Sequence, residues 1–312
     1  MRLKSALRRG VAAAVIAGIV VSSGIPAYAA RWNIADGDIT VEGASDESGN
    51  YNKVKQGDKD FKKDEGETVI TGKSKEHTVP IDTSGGKVDV TFDDLKIDVS
   101  GKKEGDGSDD SPVDAGKAAV TVKGDHDATI ELDGKNELKS GSKNAGLEKN
   151  DERSEDGKTI SGKLTIKDDK GKDGSLTAAG GAGAGIGGKH ESGAGNIEIT
   201  GGTIKAEGGE GAAGIGGGVY GIGHDIEISG GKVSATGGNA NKNLESFRTG
   251  AAGIGDGAGT EKDEIDPNAP SNPNHIYISG DAEVEAKAGA STGGKTAAIG
   301  GGDVGEIPNS AL

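Results

Sequence analysis

Three copies of a short pattern decide the fold: Asn196-Ile-Glu-Ile-Thr200, Asp225-Ile-Glu-Ile-Ser229 and His275-Ile-Tyr-Ile-Ser279. Each copy, here called segment A, alternates apolar and polar residues, which is the period of a β-strand and not of a helix. After a glycine turn comes a second alternating stretch, segment B, such as Thr203-Ile-Lys-Ala-Glu207. A glycine-bounded run, segment C, ends the unit, as in Ala213-Gly-Ile-Gly-Gly217. Three short strands in fixed order therefore form one repeating unit.

The unit recurs along the chain, which is the signature of a repeat architecture. The apolar residue of segment C recurs at spacings of 39, 29, 39 and 45 residues, which indicates a minimal unit near 29 residues with inserted loops. These residues are Leu147, Ile186, Ile215, Ile254 and Ile299. Weaker copies extend upstream to Lys87. We predict an all-β fold, a parallel β-helix (solenoid) of about six coils of three short strands, stacked ~4.8 Å apart.

Stacking also predicts which side chains lie above one another. In segment A we expect Ile130 over Leu164 and Leu132 over Ile166 on the inward side. The expected outward column of segment A consists of Glu131, Thr165, Glu198, Glu227 and Tyr277. Each buried aliphatic side chain contributes about 1.5–3 kcal/mol, so narrow columns can hold the fold together with few large apolar residues.

The composition, taken without order, is typical of a disordered chain. Of 312 residues, 59 are Gly and 7 are Pro, aromatic residues make up 3%, and the formal net charge is −15. A flexible linker and an antiparallel barrel are the alternatives to a solenoid. Linkers lack alternating apolar columns, and the similarity between units favours parallel stacking. The absence of Cys excludes a disulfide framework, a Cys-ligated zinc site and a thiol nucleophile.

Residues 1–29 have the features of a secretory signal peptide. The apolar stretch Val11–Val21 lies between a cationic start and the small-residue cleavage site Ala27-Tyr28-Ala29. A retained membrane helix is the alternative, but the stretch is shorter than the ~20 residues that a span needs. Cleavage would remove four positive charges and leave −15 − 4 = −19. We expect a protein that is secreted or at the cell surface, with no membrane span after cleavage.

The mature chain is expected to divide into three parts. Residues 30–81 are predicted to form an N-terminal cap and the first coil, because stacked coils need covered ends. Within them, the charged stretch 42–67 is predicted to be a mobile loop. Residues 82–302 are predicted to form the parallel β-helix, and residues 303–312 a C-terminal tail or short cap. We expect a monomer.

Catalytic and nucleic-acid-binding patterns are poor. The three Arg residues left after cleavage are far apart in sequence, so nucleic acid is not an expected partner. The five His residues lack metal-ligand spacing, and no nucleophile elbow is present. The acidic stretch Glu104–Asp114 has the odd spacing of a calcium loop, but Lys117 stands where a bidentate Glu is required. We therefore predict no catalytic residue and no enzyme.

Four outward residues are candidate ligand contacts. Stacking in register brings Glu198 and Glu227 to about 5 Å from each other, which is unfavourable unless a cation or a Lys lies between them. Calcium is the candidate ion, although no cofactor is required, and a solvated polar face is the alternative. Tyr220 and Tyr277 are predicted to be exposed and to offer aromatic surfaces for a ligand, with simple surface packing as the alternative.

The repeat resembles a known family. The run Ala213–Gly218, with the upstream stretches Leu132–Leu138 and Ala145–Lys149, is similar to secreted or surface carbohydrate-binding-domain proteins of Gram-positive bacteria. Their fold resembles the right-handed parallel β-helix of pectate lyases. The resemblance implies binding of a polysaccharide or cell-wall glycan, or adhesion. The chain departs from a pectate-lyase active site, since no Asp cluster matches the calcium motif and no Arg lies on the core coils.

The sequence therefore predicts an extracellular, non-catalytic module that binds carbohydrate or mediates adhesion. A polysaccharide lyase or hydrolase of the pectate-lyase-like type and a purely structural surface spacer are the alternatives.

Overall fold

The computed structural model describes residues 30–64, 66–101, 116–152, 160–171, 173–240, 249–259, 275–292 and 295–301. The predicted signal peptide 1–29, the acidic stretch Glu104–Asp114 and the C-terminal residues 303–312 lie outside the described residues. The described part consists of β-strands and one 3-10 turn, Ile34–Asp36. It contains no helix long and apolar enough to cross a membrane.

The N-terminal strands are β1 Ala30–Asn33, β2 Ile39–Asp46, β3 Gly49–Gln56, β4 Lys62–Asp64, β5 Thr68–Ser74, β6 Val79–Asp82 and β7 Val88–Asp98. The next strands are β8 Val120–Lys123, β9 Ala128–Asp133, β10 Lys135–Lys139, β11 Leu147–Glu148, β12 Leu164–Lys167, β13 Ser175–Ala179, β14 Ile186–Gly187 and β15 Ile197–Ile199. The last strands are β16 Thr203–Glu207, β17 Ile215–Gly216, β18 Ile226–Ile228, β19 Lys232–Thr236, β20 Ile254–Gly255, β21 Ile276–Ile278, β22 Glu283–Lys287 and β23 Ile299–Gly300.

Three parallel ladders run through the molecule, one for each segment of the repeat. Face A has the order β7-β9-β12-β15-β18-β21, and face B the order β7-β10-β13-β16-β19-β22. Face C has the order β6-β8-β11-β14-β17-β20-β23. The predicted parallel β-helix is therefore confirmed. From β7 onward the described strands form six coils, and in the first of them β7 spans faces A and B, with a bend at Asp94, where φ is 50°.

Upstream of β7 the structure differs from the predicted loop. Strands β5 and β6 form a further coil, and β1 and β2 pair with them in parallel. Strands β2, β3 and β4 then form an antiparallel sheet, here called the meander. The prediction that 42–67 is a mobile loop is wrong. The strands in this stretch carry mostly polar side chains and therefore lack a clear apolar pattern. Val41 and Val54 nevertheless face each other in the buried core.

The register between β9 and β12 also differs from the prediction by two residues. Leu164 pairs with Ala128 and Ile166 with Ile130, so Leu164 does not pair with Ile130. On the outward side Thr165 pairs with Thr129, and Glu131 belongs to another column, opposite Lys167. A shift of two residues keeps every side chain on the same face of a strand, so alternation alone could not detect it.

The core is a set of fully buried aliphatic columns. On face A, Ile166, Ile199 and Ile228 are each 0% exposed. Face C contributes Leu147, Ile186, Ile215 and Ile254, and face B contributes Leu176, Ile204 and Val233. Glycines after the face C isoleucines allow close stacking. At Gly216, φ is +130°, and an added Cβ would lie 2.1 Å from the carbonyl oxygen of Gly255.

One buried polar residue joins three coils. Asn136 occupies an inward position of face B, opposite Leu176, and is 1% exposed. Its Oδ1 accepts a hydrogen bond from Leu95 N at 2.9 Å. Its Nδ2 donates to the carbonyl oxygens of Asp133 and Ser175, each at 3.1 Å. Because every polar group of the side chain has a partner, this amide is accommodated inside an apolar column.

The last described coil is open at its far side. Ile278 is 43% exposed and Ile299 is 42% exposed, whereas their neighbours Ile228 and Ile254 in the preceding coil are 0% exposed. An inward side chain of an interior coil is therefore covered by a neighbouring coil on each side. In the last described coil it is covered by the preceding coil alone.

Candidate functional site

Face A brings together the two glutamates that the sequence singled out. Glu198 pairs directly with Glu227 on the next coil, as predicted. A lysine offsets the repulsion, because Lys163 Nζ lies 2.8 Å from Glu198 Oε2. Thr165 Oγ1 donates to the same oxygen at 2.9 Å. The hydrogen bond from Lys163 is the largest cause that holds the pKa of Glu198 below its usual value.

This arrangement satisfies the carboxylate with side chains of the protein. Across the described ranges, no group of three or more His, Asp or Glu side chains is placed to hold a metal ion. Glu198 and Glu227 therefore form a partly neutralised polar ladder in this structure, and their role as a calcium site stays a prediction.

The two predicted tyrosines are both exposed but lie on different elements. Tyr277, on β21, pairs with Glu227 and is 56% exposed. Its ring lies edge-on to His275, with 5.7 Å between centroids. Tyr220, in the loop between β17 and β18, is 41% exposed and makes a similar edge contact with His190 at 5.9 Å. The structure thus places Tyr277 next to the glutamate ladder and Tyr220 in a separate loop.

A cleft of about 390 Å³ lies where the meander meets the β-helix. Polar side chains of β3, β4, β7 and the adjoining turns converge on it, together with one aromatic ring. They are Ser48, Asn50, Tyr51, Asn52, Lys63, Asp64, Lys87 and Asp89. Most small-molecule sites are lined mainly by apolar side chains, whereas this cleft has one aromatic ring among polar and charged groups.

Two buried side chains hold the walls of the cleft together. Asn52 Nδ2 donates to Thr68 Oγ1 at 2.9 Å and to the Asp89 carbonyl oxygen at 2.7 Å. Asp64 Oδ2 accepts from Thr68 Oγ1 at 2.9 Å and from Trp32 Nε1 at 3.1 Å. Both side chains are 7% exposed, so they join the meander to β1, β5 and β7.

The rim of the cleft carries a cation held over an aromatic ring. Lys63 Nζ lies 4.2 Å from the centroid of the Tyr51 ring and 2.8 Å from Asp46 Oδ2. The hydrogen bond from Lys63, followed by those from Ser48, lowers the pKa of Asp46 to about 2. Asp46 is therefore ionised at neutral pH and positions Lys63 over the ring.

Sequence reasoning missed this cleft because it assigned the stretch to a loop. The available signal was the alternating stretch Ile39–Glu42, whereas Tyr51-Asn-Lys-Val54 does not alternate, because the polar Asn52 takes an inward position beside Val54. The bonds of Asn52 and Asp64 to distant strands depend on tertiary structure and leave no local pattern.

The ladders and the buried columns define a protein of the parallel β-helix class. In agreement with this, the model of the beta helix repeat family matches residues 197–219 and 226–258. The two matched stretches contain strands β15 to β17 and β18 to β20, which are two successive coils. No curated protein and no solved structure matches the chain at a significant level.

Proposed function

We propose that this protein is an exported, non-catalytic module that binds carbohydrate, and that the cleft between the meander and β7 holds the sugar. The observation that carries the proposal is the convergence of hydrogen-bonding side chains and the Tyr51 ring on one cavity of about 390 Å³. The β-helix repeat is compatible with such a role.

The chemistry of the cleft suits a polyhydroxylated ligand. Sugar hydroxyls both donate and accept hydrogen bonds, and the cleft offers donors from Lys87 and Asn50 and acceptors from Asp89 and Asn50. The Ser48 hydroxyl donates to Asp46 and can accept a hydrogen bond from a ligand. The half-buried ring of Tyr51 adds aromatic surface beside these groups, with the Lys63 ammonium already over one face of the ring.

The walls of the cleft are already built without a ligand. The hydrogen bonds of Asn52 and Asp64 hold the meander in a fixed position relative to β1 and β7. Less conformational entropy is therefore lost when a ligand binds between them.

A glycan array probed with the labelled mature protein tests this proposal. We expect binding to at least one polysaccharide class, weakened by Tyr51→Ala, whereas Tyr277→Ala removes an exposed tyrosine outside the cleft and serves as the matched control. Binding to no glycan would overturn the proposal. Loss with Tyr277→Ala and not with Tyr51→Ala would place the site on the face A ladder instead.

A second assay separates binding from catalysis. Incubation with polygalacturonate and with each bound glycan, followed by ultraviolet detection of unsaturated uronates and assay of new reducing ends, should show no product. Release of either product would assign the protein to the lyases or hydrolases.

A further inference from the structure

A second depression, of about 250 Å³, lies on face B near its N-terminal edge. Four lysines and two acidic residues line it, so that its formal charge is +2 in a chain whose net charge is −15. They are Lys73, Lys75, Lys96, Lys139, Asp98 and Glu137.

The strand register places like charges side by side in this depression. Lys73 on β5 pairs directly with Lys96 on β7, which is destabilising unless negative charge lies nearby. Glu137 on β10 pairs with Lys96 and neutralises it, with Nζ and Oε1 2.5 Å apart. No described acidic side chain forms an ion pair with Lys73, Lys75 or Lys139.

The surplus positive charge acts on both carboxylates of the depression. The pKa of Glu137 is lowered mainly by its hydrogen bond with Lys96, and the charges of Lys139 and Lys73 lower it further. The pKa of Asp98 is lowered mainly by its hydrogen bond with Ser100, with added effects from Lys139 and Lys75. Glu137 lies opposite Lys96 and Asp98 lies opposite Lys139, so Lys73 and Lys75 account for the surplus positive charge of the depression.

The stems of the lysines also supply apolar surface to the depression. Between Lys96 and Asp98 the depression is floored by the backbone of Ile97, whose side chain is 1% exposed and lies in the core. The aliphatic stems of lysines can cover an apolar surface while their ammonium groups remain in water. A ring with an anionic substituent would therefore meet apolar stems below and ammonium groups at the rim.

We propose that this depression binds an oxyanion group, carboxylate or sulfate, carried by an acidic saccharide chain. The site is distinct from the cleft of the meander, and the proposal extends the function proposed above to anionic glycans without depending on the cleft. The net negative charge of the protein repels polyanions. An acidic saccharide therefore requires a local cationic site of this kind in order to bind.

The test compares two double variants of equal net charge. Lys73→Gln with Lys139→Gln removes two cations from the depression. Lys205→Gln with Lys232→Gln removes two exposed lysines of the same face, and Lys205 even lies in the same column as Lys73. Sulfated dextran, polygalacturonate and neutral dextran are titrated at low salt, and thermal melts confirm that each variant is folded.

We expect sulfated dextran or polygalacturonate, but not neutral dextran, to bind through the depression, and the preferred one identifies the oxyanion. The first double variant should weaken this binding about tenfold and reduce its salt dependence, whereas the second should change it less than about twofold. Equal losses in both variants, or no polyanion binding to the wild type, would overturn the proposal. Tyr51→Ala should leave polyanion binding intact, so failure of the cleft and failure of this site give different results.

Discussion

His224 Nε2 lies 2.9 Å from Asp151 Oδ2, although the two residues belong to corner loops that are separated by a complete coil. Gly195, in the intervening loop, makes this contact possible, because a Cβ added there would lie 2.1 Å from Cε1 of the His224 ring. The buried Lys149 donates to the carbonyl oxygen of the same glycine at 2.8 Å. His224 is also held by Asp225, at 2.9 Å from Nδ1. The network connects three successive corners of the β-helix.

The charge state of His224 makes stability depend on pH. Burial favours the neutral imidazole, but hydrogen bonds and charges of Asp151 and Asp225 outweigh it and raise the pKa of His224 to about 9. The folded protein then holds a proton that the unfolded chain, with a His pKa near 6.5, releases. The free energy of unfolding should therefore fall as pH rises from about 6.5 to 9, by roughly 2 kcal/mol between pH 6.5 and 8.

Urea denaturation at a series of pH values measures this fall, and His224→Gln should remove it. His126→Gln is the matched control, because His126 also lies 2.9 Å from an aspartate but is exposed. Lys149 has the opposite effect at higher pH. Burial lowers its pKa to about 8, so the free energy of unfolding rises as the pH increases from about 8 towards the usual pKa of lysine. The same pH dependence in wild type and His224→Gln would show that His224 is not the group responsible.

Gly195→Ala tests the close approach of the ring directly. The added methyl group must displace the imidazole from Asp151, and we expect a loss of about 1–3 kcal/mol in the free energy of unfolding. Gly101→Ala is a suitable control, because an added Cβ there meets no atom within 4 Å. A Gly195→Ala variant as stable as wild type would mean that His224 occupies another position in solution.

These contacts mark the limit of what the sequence could predict. Period-two alternation around Ile197, Ile226 and Ile276 is a local property, and it was sufficient to predict the strands, their parallel stacking and the pairing of Glu198 with Glu227. The register of β9 was not predictable in this way, because pairing Leu164 with Ile130 would conserve the same alternation.

The candidate site was less predictable than the fold. The cleft depends on hydrogen bonds between residues far apart in sequence, such as Asn52 with Asp89 and Trp32 with Asp64. The sequence was sufficient to predict the pairing of Glu198 with Glu227 and the need for a cation beside them. It did not identify Lys163 as that cation, because this contact depends on side-chain geometry at the start of β12.

The contact between Lys163 and Glu198 predicts that calcium does not change the thermal stability of the protein. Because the carboxylate already has a cation and a hydroxyl donor, millimolar Ca²⁺ should leave the melting temperature unchanged. Lys163→Gln should restore the repulsion between Glu198 and Glu227 and lower the free energy of unfolding by up to about 1 kcal/mol. A calcium-dependent rise in melting temperature that disappears in the Glu198→Gln, Glu227→Gln double variant would show instead that this pair binds the ion.

The exposed side chains of the last described coil predict that the same substitution destabilises the protein by different amounts at two positions of one column. Ile254 and Ile299 pair directly on face C, but Ile254 is 0% exposed and Ile299 is 42% exposed. Ile254→Ala leaves a cavity between two coils and should lower the free energy of unfolding by about 2–5 kcal/mol. Ile299→Ala removes a side chain that is partly in water already and should cost less than about 1 kcal/mol. Urea denaturation of both variants measures the difference, and equal losses would show that another segment or molecule covers the last coil in solution.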